Sequence, residues 1–277
     1  MTMSKNISLV ITDMDKTLLD NDSNISEKNL SSIRKLKTNK IKFAVATGRS
    51  RSSLCNFMKK YKLMDEIDYI ISMNGVSIYD TKSEEAYDFG YVDEKIINEV
   101  YDSYKDYDVS FAVHEGNCLI CSKKTIYTDI ECEVNGYGVS EVIDFTGAIN
   151  KKYAKLMLIG DKRIVDSIYS KLAQINPKNF NFFKSHDYFL EIVKTGVSKG
   201  NALVKLCELK NIDISNVMAV GDNLNDLDMI KNSGFGVAVE NAHEELKKYA
   251  NFITKSNNEN GFAYACDELI DFQINEY

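Results

Sequence analysis

No apolar run in this 277-residue chain approaches the roughly 18 residues that a membrane-spanning helix needs, so nothing in the sequence predicts a span. Basic residues are also in deficit. The 34 lysines and arginines stand against 41 acids, a formal charge of -7 that argues against nucleic acid or an anionic membrane surface as the main partner. A small anionic substrate stays open, because the charge inside one pocket can oppose the net charge. There is no low-complexity linker and no solenoid repeat, and Pro177 is the single proline, so little punctuates the chain. Met1 to Lys5 leads directly toward an apolar strand pattern and lacks the features of a signal peptide. The expectation is a cytoplasmic protein whose six scattered cysteines are reduced thiols.

Four of the zinc-type donors, His114, Cys118, Cys121 and Cys132, fall in one short span. The segment FAVHEGNCLICS reads as a hairpin turning at Glu115-Gly116-Asn117. Cys118 and Cys121, an odd number apart on one strand, then point to opposite faces, which removes zinc as the expected ligand.

With 44% hydrophobic residues the chain can bury a large core. Short apolar runs at ISLVIT, IKFAVAT, DYIISMNG, NVMAVGD and GVAV alternate with helical patterns, as in a parallel sheet covered on both faces. The fold class is α/β, a doubly wound, mainly parallel sheet with a Rossmann-like core. Between about Lys82 and Phe189 the texture changes to a helix, a hairpin, a strand, a helix and two strands, predicting an inserted α+β domain. The expected division is 1–81 and 190–277 for the core and 82–189 for the insertion.

Ligands of open α/β sheets bind beyond the carboxyl ends of the strands, and the unusual residues collect there. In DMDKT, Asp13 and Asp15 lie on the same side if the extended geometry continues, where two carboxylates need a cation or a shared proton. Thr47-Gly48-Arg49 follows the second strand, with Ser50 placed to cap the next helix. Asn74-Gly75 follows the third. Asp222, Asn225, Asp226 and Asp228 are more acids and amides than one turn requires, and such a set can complete an oxygen-rich Mg²⁺ site. Lys199 opens a helix, a position where a cation opposes the macrodipole unless an anion sits nearby.

DMDKTLL, TGR, Lys199 and GDNLND, in this order and on these elements, resemble the haloacid dehalogenase superfamily of phosphohydrolases. The long insertion, with SMNG and GVSKG, is similar to the Cof-type branch with a type IIB cap. The resemblance implies a phosphatase in which Asp13 is the nucleophile and Asp15 the acid and then the base. It implies Mg²⁺ held by Asp13, the main-chain carbonyl of Asp15 and Asp222, with the phosphoryl oxygens cradled by the Met14 backbone, Thr47, Gly48, Lys199 and Asn225. Asp226 would orient Lys199 or a metal-bound water, and the cap would choose the substrate, with His114, His186 and Tyr188 as candidate contacts.

The family position of Lys16 is commonly glycine, and lysine is expected there only if φ stays negative. The expected partner is a small phosphorylated metabolite, with a phosphorylated sugar foremost, acted on by a monomer without nucleic acid or membrane. A phosphomutase-like phosphotransferase using the same nucleophile and a non-catalytic Mg²⁺-binding receiver-like module are the alternatives. Asp15 and the large insertion argue against the receiver.

Overall fold

The computed structural model describes residues 7–275, with side chains through Glu268. The reading of Met1 to Lys5 lies outside the described residues. The chain forms two compact units, 1–88 with 198–277, and 89–197.

The first unit opens with β1 (Leu9–Thr12), α1 (Glu27–Thr38), β2 (Lys42–Ala46), α2 (Arg51–Lys60), β3 (Tyr69–Ser72), β4 (Ser77–Asp80) and β5 (Glu85–Asp88). The second unit contains α3 (Glu94–Tyr104), β6 (Val109–Glu115), β7 (Cys118–Cys121), α4 (Ile126–Asn135), β8 (Gly138–Glu141) and α5 (Phe145–Ala148). It continues with β9 (Leu156–Gly160), α6 (Lys162–Ile175), β10 (Phe180–His186) and β11 (Phe189–Lys194). The chain then returns to the first unit through α7 (Lys199–Lys210), β12 (Val217–Gly221), α8 (Leu227–Asn232), β13 (Phe235–Ala238), α9 (Glu244–Lys247), β14 (Phe252–Ile253) and α10 (Gly261–Asn275).

The first unit is built on an eight-stranded sheet in the order β14-β13-β12-β1-β2-β3-β4-β5. Strands β14 through β3 run parallel, and β4 and β5 add an antiparallel edge. Every residue of β1 and β12 is buried, because helices cover both faces and leave no solvent side for a polar alternation. Thr12 sits opposite both Val45 and Val220, so β1, β2 and β12 end level with one another. Loops leaving those ends must therefore start from one edge of the sheet.

Serines start the helices that follow. Ser50 accepts the Ser53 N–H at 3.2 Å, and Ser198 accepts the Asn201 N–H at 3.1 Å, each satisfying a first-turn donor that has no partner within its helix. Ser198 thereby fixes Lys199 as the first residue of α7.

The second unit is a six-stranded sheet in the order β10-β11-β9-β6-β7-β8, antiparallel except for the β7–β8 pair. One apolar cluster forms around Phe111, Leu158 and Ile168 and another around Ala112, Met157 and Phe189. Phe111 and Ala112, like Leu158 and Met157, are neighbours on one strand, so the two clusters line opposite faces. The division falls at Asp88 and Val197, whereas the sequence placed it at 81 and 189. The reason is strand pairing: β5 continues the first sheet through β4, and β11 runs on to Lys194 beside β10. Within ENAHEELKKYA the helix is confined to the single turn of α9. No helix among the described residues is long and apolar enough to cross a membrane.

Candidate functional site

Four parallel strands deliver the polar residues of one edge: β1 gives Asp13, β2 gives Thr47, β3 leads to Asn74 and β12 gives Asp222. Asp13, Asp222 and Asp226 each offer a carboxylate oxygen, and these atoms all lie within 4.8 Å of one another. The Lys199 ammonium, completely buried, donates to Asp13 Oδ1 at 2.5 Å and to Asp226 Oδ1 at 2.6 Å. The other oxygen of Asp226 accepts the N–H groups of Asp222 and Asn223 at 3.1 Å each, so this carboxylate braces the loop and the lysine together. Thr17, also buried, donates its hydroxyl to Asp222 Oδ1 at 2.9 Å.

Burial sets the electrostatics. It raises the pKa of Asp13 well above its ordinary value, opposed by Lys199 and reinforced by the charges of Asp226, Asp222 and Asp15. Burial, followed by the Asp226 charge, pushes Asp222 up to about 6. Burial works against charge on Lys199, but Asp13 and Asp226 outweigh it and hold the ammonium above the ordinary lysine value. Three carboxylates against one ammonium leave excess negative charge in a buried space. A hard divalent cation with oxygen ligands compensates such a surplus, and the donor set fits one.

The remaining loops are tied to one another. The Thr47 carbonyl accepts the Asn74 N–H at 3.0 Å, and Asn74 Oδ1 accepts from Asn225 Nδ2 at 3.1 Å. Gly48 lies against the Asn74 side chain, where a Cβ would stand 3.2 Å from Nδ2. At Gly75, φ is +105° and a Cβ would come within 2.2 Å of the Ser198 carbonyl oxygen, so only glycine lets this turn touch the start of α7. Met14 is buried, and its carbonyl accepts the Leu19 N–H at 2.9 Å as the chain winds into a single turn over Met14–Leu18.

That turn corrects the sequence reading of Asp13 and Asp15 as facing carboxylates. The extended geometry stops after β1, and Asp15 instead accepts from Arg49 through both oxygens, at 2.5 Å from Nη2 and 3.0 Å from Nε. The Asp15 carboxylate is therefore outside the Asp13 cluster. Lys16 departs from expectation too, since its φ is +63°. Its carbonyl accepts from Asn241 Nδ2 at 2.9 Å while its side chain is exposed.

A left-handed L-residue costs about 1–2 kcal/mol, part of which glycine returns through its greater freedom in the unfolded chain. Lys16→Gly is expected to raise the urea midpoint, by the equivalent of about 0.5–1 kcal/mol, with the m-value unchanged. A lowered midpoint would show that the lysine side chain, rather than the backbone, governs this position.

The structure thus brings Lys199 into contact with Asp13, sets Asp222 in the same carboxylate cluster, and links Thr47, Gly48 and Asn225 through Asn74. Sequence reasoning gave no specific role to Asn74 or the side chain of Arg49. Thr17 and Arg49 stood inside quoted motifs, and their pairing is what the motifs alone could not show. In the second unit, the His114 side chain is buried, with Nε2 3.0 Å from Glu131 Oε1, and makes an edge contact with the Tyr137 ring.

The profile of the haloacid dehalogenase-like hydrolase family matches residues 10–266. The 5-amino-6-(5-phospho-D-ribitylamino)uracil phosphatase YwtE of Bacillus subtilis is 27% identical over 292 residues, covering 94% of this chain and 97% of the relative. A haloacid dehalogenase-like hydrolase from Bacteroides thetaiotaomicron superposes with a TM-score of 0.84 at 28% identity, covering 95% of this chain and 99% of that one. A sugar phosphatase of subclass IIB shares the fold, with a TM-score of 0.82 at 19% identity over 95% of this chain and 98% of that one.

Proposed function

Because the chain belongs to the haloacid dehalogenase-like hydrolases and is a phosphatase of the Cof type, we propose that it is a Mg²⁺-dependent enzyme that hydrolyses a small phosphomonoester through a phosphorylated Asp13. A phosphorylated sugar derivative is the proposed substrate class, supported by the phosphorylated ribityl group in the name of the Bacillus subtilis relative. The observation that carries the reading is the buried contact of Lys199 with Asp13 inside the carboxylate cluster.

Asp13 and Asp222, with the Asp15 main-chain carbonyl, would hold the metal, because both oxygens of Asp226 are already committed to Lys199 and the loop N–H groups. When bound, Mg²⁺ supplies positive charge against the phosphoryl oxygens. The chain's own residues do the rest. An Asp13 carboxylate oxygen attacks phosphorus, and the bond between phosphorus and the ester oxygen breaks as its electron pair moves to that oxygen. The Asp15 carboxyl group gives this oxygen its proton, releasing the alcohol.

In the second half, water attacks the aspartyl phosphate and yields a proton to the Asp15 carboxylate, which restores Asp13 and frees inorganic phosphate. Lys199 lowers the repulsion between the anionic nucleophile and the anionic ester. Thr47, the N–H groups about Gly48 and Met14, and Asn225 orient the phosphoryl oxygens.

The test is phosphate release from p-nitrophenyl phosphate and a panel of sugar phosphates. Turnover is expected with Mg²⁺ and should fall at least about 100-fold on chelation, returning when the metal is restored. Absence of turnover across the panel in the presence of Mg²⁺ would end this reading. Turnover indifferent to chelation would remove the metal from it.

A further inference from the structure

We propose that Arg49 is a positioning residue for the acid of this phosphatase: its guanidinium fork fixes the Asp15 carboxyl group in the frame of the phosphate-binding loop. The inference rests on the phosphatase reading above and adds a residue to it. Both Asp15 oxygens are engaged by one guanidinium, a two-point contact that sets the direction of the carboxyl plane as well as its distance. Among the described residues Asp15 has no other hydrogen-bond donor, and it sits on the exposed side of a turn whose next residue is left-handed. Without Arg49, no hydrogen bond among the described residues holds the orientation of this side chain.

Arg49 itself is held on every side. Its N–H donates to Thr47 Oγ1 at 3.1 Å, and its carbonyl accepts the Met73 N–H at 3.0 Å. The guanidinium carbon lies 5.5 Å from the centre of the Phe57 ring on α2. The Arg49 side chain is 11% exposed and the Asp15 side chain 48%, so a fixed cation presents a reachable carboxyl group. Thr47 and Gly48 belong to the same loop, so the group that cradles phosphate and the group that orients the acid move as one piece. An ion pair this open to solvent adds little to stability, which leaves orientation as its consequence.

The reaction separates this role from phosphate binding. Proton delivery to the ester oxygen matters most when the departing group is a poor one. A misdirected acid therefore costs much on p-methoxyphenyl phosphate and little on p-nitrophenyl phosphate, whose phenolate departs without a proton. For Arg49→Met the expected fall in kcat is roughly 30-fold on the methoxy ester and under about 3-fold on the nitro ester, with KM little changed on both. Asp15→Asn should show the same dependence on the departing group, and adding Arg49→Met to it should cost nothing further, since the two act in series.

Arg49→Lys keeps the charge and loses the fork, so its kcat should lie between those of the wild type and Arg49→Met. Equal losses on both esters, or a loss carried by KM, would assign Arg49 to phosphate binding and overturn the proposal while leaving the phosphatase standing. Full activity of Arg49→Met would overturn it as well. A wild type silent on both esters would sink the phosphatase and this proposal together.

Discussion

Asp13→Asn should release no measurable phosphate, a loss of about 10⁴-fold or more, and yet fold at least as stably as the wild type in metal-free buffer. Loss of turnover follows from chemistry: a neutral amide oxygen cannot form the phosphoryl ester that the proposed route requires. The stability half follows from electrostatics. Burial and three neighbouring carboxylates raise the Asp13 pKa in the folded chain, against the pull of Lys199. An acid whose folded pKa exceeds its unfolded value destabilises the fold at pH above the unfolded one, and the penalty grows until the pH has risen through the folded one.

Asparagine removes the charge and keeps an oxygen for the Lys199 ammonium, so a gain of about 1 kcal/mol is expected where strain had been tolerated for function. Melting with and without Mg²⁺ checks it. The wild type should gain stability from the metal, because a ligand that binds only the folded form stabilises it, and the variant should gain much less. Retained turnover in the variant would show that Asp13 is not the nucleophile.

How much of this was legible beforehand depends on whether a feature is local. The parallel core could be read because β1, β2, β3 and β12 are buried on both faces and so appear as unbroken apolar runs. The antiparallel strands β4 and β5 carry SIYD and EAYD, partly exposed and short, and nothing in those residues separates them from a loop. In the second unit the hairpin at Glu115–Cys118 stood out through its turn, whereas α4 and β8 did not, since IYTDIECEVN mixes acids into its apolar face.

The candidate site shows the same division. Strand-end motifs placed Asp13, Thr47 and Asp222 near one edge, because parallel strands can end nowhere else. The orientation of Asp15 depends on Arg49, 34 residues away, and on a left-handed Lys16, and neither is encoded in the spacing of the two acids. Same-side alternation holds only while the strand lasts, and it stops at Thr12.

Lys155→Met should destabilise the inserted unit by about 3–5 kcal/mol, while the sheet of the first unit keeps its protection. Lys155 is 3% exposed and stands between two carboxylates, 2.8 Å from Glu191 Oε1 and 3.9 Å from Glu131 Oε1. Both acids are buried. Glu191 also accepts from the Ser185 hydroxyl at 2.6 Å, and Glu131 from Asn135 Nδ2 at 3.0 Å. Methionine fills nearly the same volume, so the loss is electrostatic: two carboxylates stay in low dielectric without their cation.

The sign with pH is fixed at both ends. Burial works against charge on Glu131, but Lys155 and the adjacent His114 outweigh it and lower the folded pKa. Its contribution is therefore present above the unfolded value, about 4.3, and fades as pH falls through the folded one. Burial likewise opposes charge on Lys155, but Glu191 and Glu131 outweigh it and raise the folded pKa. That contribution is present below the unfolded value, about 10.4, and is lost as pH rises through the folded one.

Between those limits the wild type holds the pair at full strength, and the variant should show its largest deficit there. Hydrogen exchange at β9 and β11, compared with β1 and β12, measures the loss where it arises and avoids assuming that two units unfold together. Replacing Glu131 and Glu191 by glutamine in the Lys155→Met background should recover most of the deficit, because it removes the charges left unpaired. A Lys155→Met protein with unchanged exchange at β9 would mean that water reaches these carboxylates and that the cluster is not a low-dielectric core.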